Sequence, residues 1–201
     1  MKLLLKAENI WLENSRAIVF KNVRLEIKKG DFIWLEGRAA AGKSLLMRTL
    51  AGKLRPAKGE LLSYTSAPLC TPGAALLENE SVKDNIMTLL RGKEDSAFVM
   101  AELLKHMNLF SARNIPAKNL SGSQRQMLIL ATFLVLDAEM IFFDDPLVPL
   151  DNEQRVLFIQ AAEKKRDQGV AILISSTLAC PAACPALTKH LLLKDGKLNE
   201  E

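Results

Sequence analysis

The sequence predicts an α/β core interrupted by a helical insertion. Up to about residue 65, apolar runs of strand length alternate with Lys-Gly turns. From about 80 to 137 the apolar residues recur only at helical spacing. Beyond 138, strands return in alternation with helices.

The individual elements follow in order. Strands are expected at 2–7, 19–27, 31–36 and 59–64, where runs of Val, Ile, Leu and Phe are bounded by turn residues. A helix is expected over 43–54. Ala67-Pro68-Leu69-Cys70-Thr71-Pro72-Gly73, with two prolines and a glycine, reads as the loop leaving the core. Helices are expected at 81–91, 95–109 and 123–137, then a strand at 140–144, a helix at 152–168, and strands at 170–175 and 189–194. The chain thus reads as one domain, with 1–66 and 138–201 forming the core and about 67–137 inserted.

Composition narrows the function classes. The chain has 201 residues, 49% apolar and 25% charged, which suits a globular domain with a sizeable core. A formal charge of +4, evenly spread, does not point to nucleic acid. Met1-Lys2-Leu3-Leu4-Leu5-Lys6 has only a short apolar run, and a signal-peptide core needs about 7–15 residues. Met127 to Leu136 spans about half of the ~20 residues needed to cross a bilayer and reads as a buried helix. A cytoplasmic chain is expected, with any membrane role borrowed from a partner. Cys70, Cys180 and Cys184 fit a reducing compartment, and Cys180 and Cys184 read as ordinary turn thiols because no second pair of metal ligands accompanies them.

The strongest motif is Gly37-Arg38-Ala39-Ala40-Ala41-Gly42-Lys43-Ser44, which fits G-x-x-x-x-G-K-[ST] and lies between an expected strand and an expected helix. Glycines let the backbone approach phosphates closely, so that N–H groups and the helix start face the negative charge. In such a loop Lys43 reaches the β- and γ-phosphates of ATP and Ser44 ligates Mg²⁺. Met140-Ile141-Phe142-Phe143-Asp144, an apolar strand ending in an acid, suits a carboxylate of the magnesium shell. Asp144 is expected to act through water.

Leu120-Ser121-Gly122-Ser123-Gln124-Arg125-Gln126 resembles the LSGGQ signature of the ATP-binding-cassette (ABC) ATPases, and it falls between the phosphate loop and the acid-ended strand. Asp144-Asp145-Pro146 and Leu150-Asp151 resemble the family's Asp-Glu-Pro segment and D-loop. Lys29-Gly30-Asp31, Pro56-Ala57-Lys58-Gly59-Glu60, Ser81 to Ile86 and Leu193 to Leu198 are similar to further landmarks, so the resemblance covers nearly the whole chain.

The resemblance implies a P-loop NTPase core with an N-terminal antiparallel β part and an inserted helical subdomain carrying the signature. It also implies Mg-ATP bound by Gly37 to Leu45, and a dimer in which Ser121, Gly122, Ser123 and Gln124 meet the nucleotide of the other subunit. The partners it implies are a membrane permease and a second ATPase subunit, identical or paralogous. The bare alternative for the signature is that Ser121 or Ser123 only caps a helix.

Several positions depart from the family pattern. The residue after Asp144 is Asp145, where Glu normally polarises the attacking water; about 1 Å of lost reach can cost on the order of 10²-fold. Ser176 stands where a histidine normally contacts the γ-phosphate, and His106 and His190 read as structural. The Q-loop glutamine falls near Pro72, with no Gln between Ser44 and Ser123. Ala40 replaces a common glycine and Leu45 a hydroxyl residue that would donate to phosphate. The adenine-stacking position aligns with Asn14, close to Trp11. Two readings remain, an ATPase subunit slowed by Asp145 and Ser176, or a nucleotide-binding regulatory subunit that completes a paralogue's site. The cargo is not written in this part of such a machine.

Overall fold

In a computed structural model, residues 1–13, 18–181 and 184–201 are described. They run in the order β1 (Leu3–Glu13), β2 (Ile18–Lys28), β3 (Phe32–Glu36), α1 (Lys43–Leu50), β4 (Lys58–Ser63), β5 (Leu69–Cys70), α2 (Val82–Leu89) and α3 (Ser96–His106). There follow α4 (Gly122–Leu134), β6 (Met140–Phe143), α5 (Asn152–Asp167), β7 (Ala171–Ser176), β8 (Lys189–Lys194) and β9 (Lys197–Glu200).

The chain divides into two compact units. The first comprises Met1–Thr71, Ala138–Asp145 and Arg166–Glu201. Its strands form an antiparallel sheet in the order β2-β1-β4 and a six-stranded sheet in the order β5-β6-β7-β3-β8-β9. The latter is parallel except for the β8–β9 hairpin. β3, β6 and β7 are buried along their length, apart from the half-buried Glu36 that ends β3. This is why they read as continuous rather than alternating apolar runs. One core joins Leu5, Ile10, Phe20 and Ile27 of the antiparallel sheet to Leu35, Phe142, Leu173 and Leu191 of the other and to Leu46 and Met47 of α1. Burying each such side chain contributes about 1.5–3 kcal/mol.

β1 is longer than the expected 2–7. The alternation breaks at Asn9, which takes a left-handed conformation at φ 50° and shifts the pairing with β2 between Ala7 and Ile10. Asn adopts this region readily, so a bulge absorbs the irregularity and the strand continues to Glu13. β5 lies inside the segment expected to be a loop: Phe142 N–H bonds Pro68 O and Asp144 N–H bonds Cys70 O, drawing two residues between prolines onto the sheet edge. β9 has only one partly buried apolar residue, Leu198, and its polar sequence hid it. α1 ends before the expected residue 54, as Gly52 turns the chain at φ 70°.

The second unit comprises Pro72–Asp137 and Pro146–Lys165, so it starts after β5 and includes most of α5, whereas the sequence reading assigned 138–201 to the core. Its helices α2, α4 and α5 begin at side-chain caps, the last at Asp151. Asp84 N–H bonds Ser81 Oγ at 3.2 Å at the start of α2. At α4, Gln124 N–H bonds Ser121 Oγ at 3.2 Å while Ser121 N–H bonds Gln124 Oε1 at 3.1 Å, a reciprocal capping box. No helix of the described residues is long and apolar enough to cross a membrane.

Candidate functional site

The turn from β3 into α1 builds the phosphate loop. Ala40 and Gly42 both have positive φ, 62° and 97°, so the chain curls tightly here, with Ala41 N–H bonded to Arg38 O at 3.1 Å. Gly42 is the N-cap of α1 and offers it no side-chain cap, and the first turn carries no acid. The opening N–H groups of a helix have no partner within it, so this end is open to an anion. Gly37 is needed for close approach: a Cβ there would lie 2.9 Å from Leu193 O and 3.3 Å from the Lys43 side chain. Lys43 folds back over the loop, its Nζ 2.9 Å from Gly37 O and 3.3 Å from Arg38 O, and its side chain is only 4% exposed.

The carboxylates arrive from the end of β6. Asp144 is 4% exposed and accepts a 2.7 Å hydrogen bond from Ser175 Oγ on β7. Asp145 has φ 44°, a conformation non-glycine residues seldom adopt. Its amide donates to the same Ser175 Oγ at 3.0 Å, and its Oδ1 accepts from Thr177 N–H at 2.9 Å. Its other oxygen lies 3.5 Å from Lys43 Nζ. Lys43, Asp144 and Asp145 are therefore brought together within the first unit.

Ser176, aligned with the family's histidine, is held within its own turn. It is 1% exposed, its Oγ accepts from Leu178 N–H at 2.9 Å, and its carbonyl accepts from Gly37 N–H at 3.2 Å. The hydroxyl is too short to leave that turn, and Thr177 lines the cleft instead. Ser175 and Thr177 escaped the sequence reading. The available signal was a pair of serines closing an otherwise apolar buried strand.

Beside the loop lies a cleft of about 770 Å³, walled by residues 36–42, Leu45, Val19, Thr177 and the β8–β9 turn at Asp195 and Gly196. Arg38, Ala39, Ala40 and Ala41 face it, and Leu45 contributes an apolar wall where a hydroxyl was expected in relatives. Ser44, by contrast, is exposed on the first turn of α1. Asn14 lies outside the described residues. Trp11 is covered by Lys58, whose Nζ sits 4.9 Å from the ring centroid, an engagement that fits a surface packing role.

The second unit carries the signature residues. Ser121 and Gly122 are exposed at the N-terminus of α4, and a Cβ on Gly122 would meet nothing within 4 Å. Ser123 Oγ accepts from Gln154 Nε2 at 3.2 Å. Asp151 caps α5, with Gln154 N–H on its Oδ1 at 2.8 Å. Gln154 thus ties the signature to the start of α5. Arg125 grips Glu78 through both terminal guanidinium nitrogens, which lowers the Glu78 carboxyl below its usual range.

The histidines stay apart from this chemistry. His106 is held below its ordinary pKa by burial and by Lys164, and its Nε2 is buried without a partner. His190 Nε2 lies 3.1 Å from Glu36 Oε2. Cys70 and Cys180 are free thiols.

These residues fit a magnesium nucleotide. The uncapped start of α1, the buried ammonium of Lys43 and the glycine cradle suit phosphate oxygens. One oxygen of Asp144 is fixed by Ser175, and magnesium characteristically takes one or two carboxylates together with substrate phosphates.

Comparison with known proteins gives a consistent answer. The ABC transporter family model matches residues 20–148. The aliphatic sulfonates import ATP-binding protein of Pseudomonas aeruginosa is 31% identical, the match covering 90% of this chain and 68% of that protein. The spermidine/putrescine import ATP-binding protein of Spiroplasma citri is also 31% identical, over 98% of this chain and 61% of the relative. Among solved structures, an ATP-binding subunit of an ABC transporter superposes with a TM-score of 0.84 at 15% identity, over 98% of this chain and 89% of the other. An ATP-binding cassette in its ADP conformation gives 0.76 at 17%, over 99% and 90%. At these identities the superpositions speak for the fold, and the family assignment rests on the sequence matches. The chain belongs to the ABC transporter family, among its ATP-binding subunits.

Proposed function

We propose that the chain binds Mg-ATP in the cleft beside Gly37 to Leu45 and hydrolyses it slowly, driving a membrane-embedded partner from the cytoplasmic face. The observation that carries this reading is the convergence of the buried Lys43 on Asp145 beside an uncapped helix start. In this reading the N–H groups of Ala39 to Ser44 hold the phosphates, Lys43 turns its ammonium from Asp145 to the terminal phosphate oxygens, and Ser44 and Asp144 hold the metal shell. A magnesium ion held by Ser44 and Asp144 would supply charge to offset that of the phosphates. Asp145 orients water, with reach limited by its short side chain and by its bond to Thr177 N–H.

Ser121, Gly122, Ser123 and Gln124 are assigned to a second nucleotide across a dimer, since an exposed helix start with an open Gly122 suits an anion brought by another subunit. Asp151 is assigned to the same interface. The permease partner is supported by the relatives, which are named as import ATP-binding proteins. Exposed Leu77, Leu89 and Phe98 of the helical unit offer apolar surface for such a partner to cover.

A second reading, a nucleotide-binding regulatory subunit that completes a paralogue's site, is favoured by one specific feature. Both candidate catalytic groups are occupied locally, Asp145 by Lys43 and Thr177, and Ser176 by the Leu178 amide. Titration of a fluorescent ATP analogue into wild type and Lys43→Ala tests the site, and single-turnover hydrolysis separates the two readings. Equal affinity in both proteins would remove the phosphate-loop assignment. Binding without turnover, alone and in the assembled complex, would select the regulatory subunit.

A further inference from the structure

Ser175 is fully buried at the end of β7, one residue before the position aligned with the family's histidine. A hydroxyl there has to be satisfied internally, and it is satisfied twice. It donates to Asp144 Oδ1 at 2.7 Å and accepts from Asp145 N–H at 3.0 Å. Both bonds cross between parallel neighbours, since β6 and β7 pair Phe143 with Ile174 immediately before these residues.

The two bonds have different consequences. The first fixes the rotation of the Asp144 carboxylate by holding one oxygen, so the other keeps a constant direction. The second anchors the backbone of Asp145 in its left-handed conformation at φ 44°, which is unfavourable without such restraint. Thr177 N–H, two residues further on, then holds the Asp145 carboxylate itself. One hydroxyl therefore sets the directions of two consecutive acids.

We propose that Ser175 is a positioning residue that aims Asp144 at the magnesium shell and Asp145 at the terminal phosphate. The proposal rests on the Mg-ATP reading above. Partners that orient a metal-associated carboxylate commonly change metal affinity by about 10- to 100-fold when removed. A residue that merely packed would change stability and leave the metal dependence of binding alone.

The test compares Ser175→Ala, Ser175→Val and Ser175→Thr with wild type, in full-length protein. Thr and Val have nearly the same shape and differ in the hydroxyl, so the pair separates hydrogen bonding from packing. Binding of a fluorescent ATP analogue is measured in EDTA and across a titration of free Mg²⁺, with thermal unfolding run in parallel. In EDTA the four proteins should bind within a few-fold of one another, since only the Lys43–Asp145 pair can respond there. The Mg²⁺ concentration giving half of the metal-dependent gain should rise about tenfold or more in Ala and Val and stay near wild type in Thr.

An unchanged Mg²⁺ dependence in folded Ala or Val, or equal behaviour of Thr and Val, overturns the positioning role. Unfolding of both Ala and Val with a folded Thr also overturns it, because the hydroxyl would then be a structural latch. Wild type that fails to bind the analogue, or binds it without regard to Mg²⁺, overturns the Mg-ATP reading and this inference with it. Failure confined to the variants leaves that reading standing.

Discussion

Lys43 Nζ lies 3.5 Å from Asp145 Oδ2, with the lysine side chain 4% exposed and the aspartate 23%. A buried ammonium without a counter-charge is costly, so the acid supplies charge of the kind that a phosphate would also provide. Asp145 and a phosphate therefore compete for Lys43. Asp145→Asn should tighten binding of an ATP analogue measured in EDTA, by a few-fold given the partial exposure of the acid. Fluorescence titration checks it, and weaker binding by the Asn variant would show that the ion pair organises the loop rather than competing for it.

Gly122 offers a cleaner separation of fold from assembly. Its Cβ direction is open, so Gly122→Arg should leave the thermal unfolding of the isolated chain within a degree or two, in keeping with the small effects of surface changes, about 0.5 kcal/mol. On the proposed dimer, the same arginine would put bulk where the signature would meet the other subunit's nucleotide. Light scattering with Mg-ATP should show dimerisation in wild type and none in the variant. Ser121→Ala is the complement: it removes half of the capping box and should cost about 1 kcal/mol of stability besides weakening the dimer.

Cys70 is a buried thiol pushed up to about 12 by desolvation, with the neighbouring Asp144 charge adding to it. The folded state thus holds the thiol proton more tightly than the unfolded chain, whose cysteine titrates at about 9. Stability from this source is complete below pH 9 and is lost as the pH rises from 9 toward 12, at up to about 1.4 kcal/mol per pH unit. Denaturant unfolding at pH 8 and pH 10.5 should show the loss, and Cys70→Ala should reduce the difference. Thiol labelling followed by peptide mapping should modify Cys70 only after unfolding.

What the sequence conveyed and what it withheld follow from the range of the interactions. Gly37 to Ser44 lie on consecutive positions, and the turn they form is local, so their spacing alone located the loop. The same holds for Ser121 and Gln124, whose capping box spans one helical turn. Ser175 meets Asp144 across 31 positions, and no local pattern signals such a pairing. The edge strand at Leu69 and Cys70 was hidden for the same reason, since its hydrogen bonds run to Phe142 and Asp144 rather than to neighbours in the chain. Ser176 closes β7, one residue beyond the strand expected at 170–175, and the direction of its hydroxyl depends on the turn at Leu178, which composition does not fix.

The last prediction concerns turnover. Asp145→Glu lengthens the acid by one methylene, enough to free its carboxylate from Thr177 N–H and bring it toward the water that attacks the terminal phosphate. Ser176→His has a harder task, because Ser176 is 1% exposed and its hydroxyl satisfies Leu178 N–H. The imidazole can be accommodated only by turning out of the strand end toward the cleft, so this single change should lower the melting temperature and raise turnover little. With Glu at 145 the two side chains can meet at the phosphate, and each well-placed catalytic contact is worth on the order of 10²-fold. The double variant should therefore exceed the product of the single effects, a coupling that a double-mutant cycle on kcat would measure. Wild-type turnover near the ~10 s⁻¹ common among enzymes would contradict the slowed site. A folded double variant that binds ATP but does not turn over would shift the limit to the segment near Pro72, where the resemblance places the family's glutamine, or to a missing partner subunit.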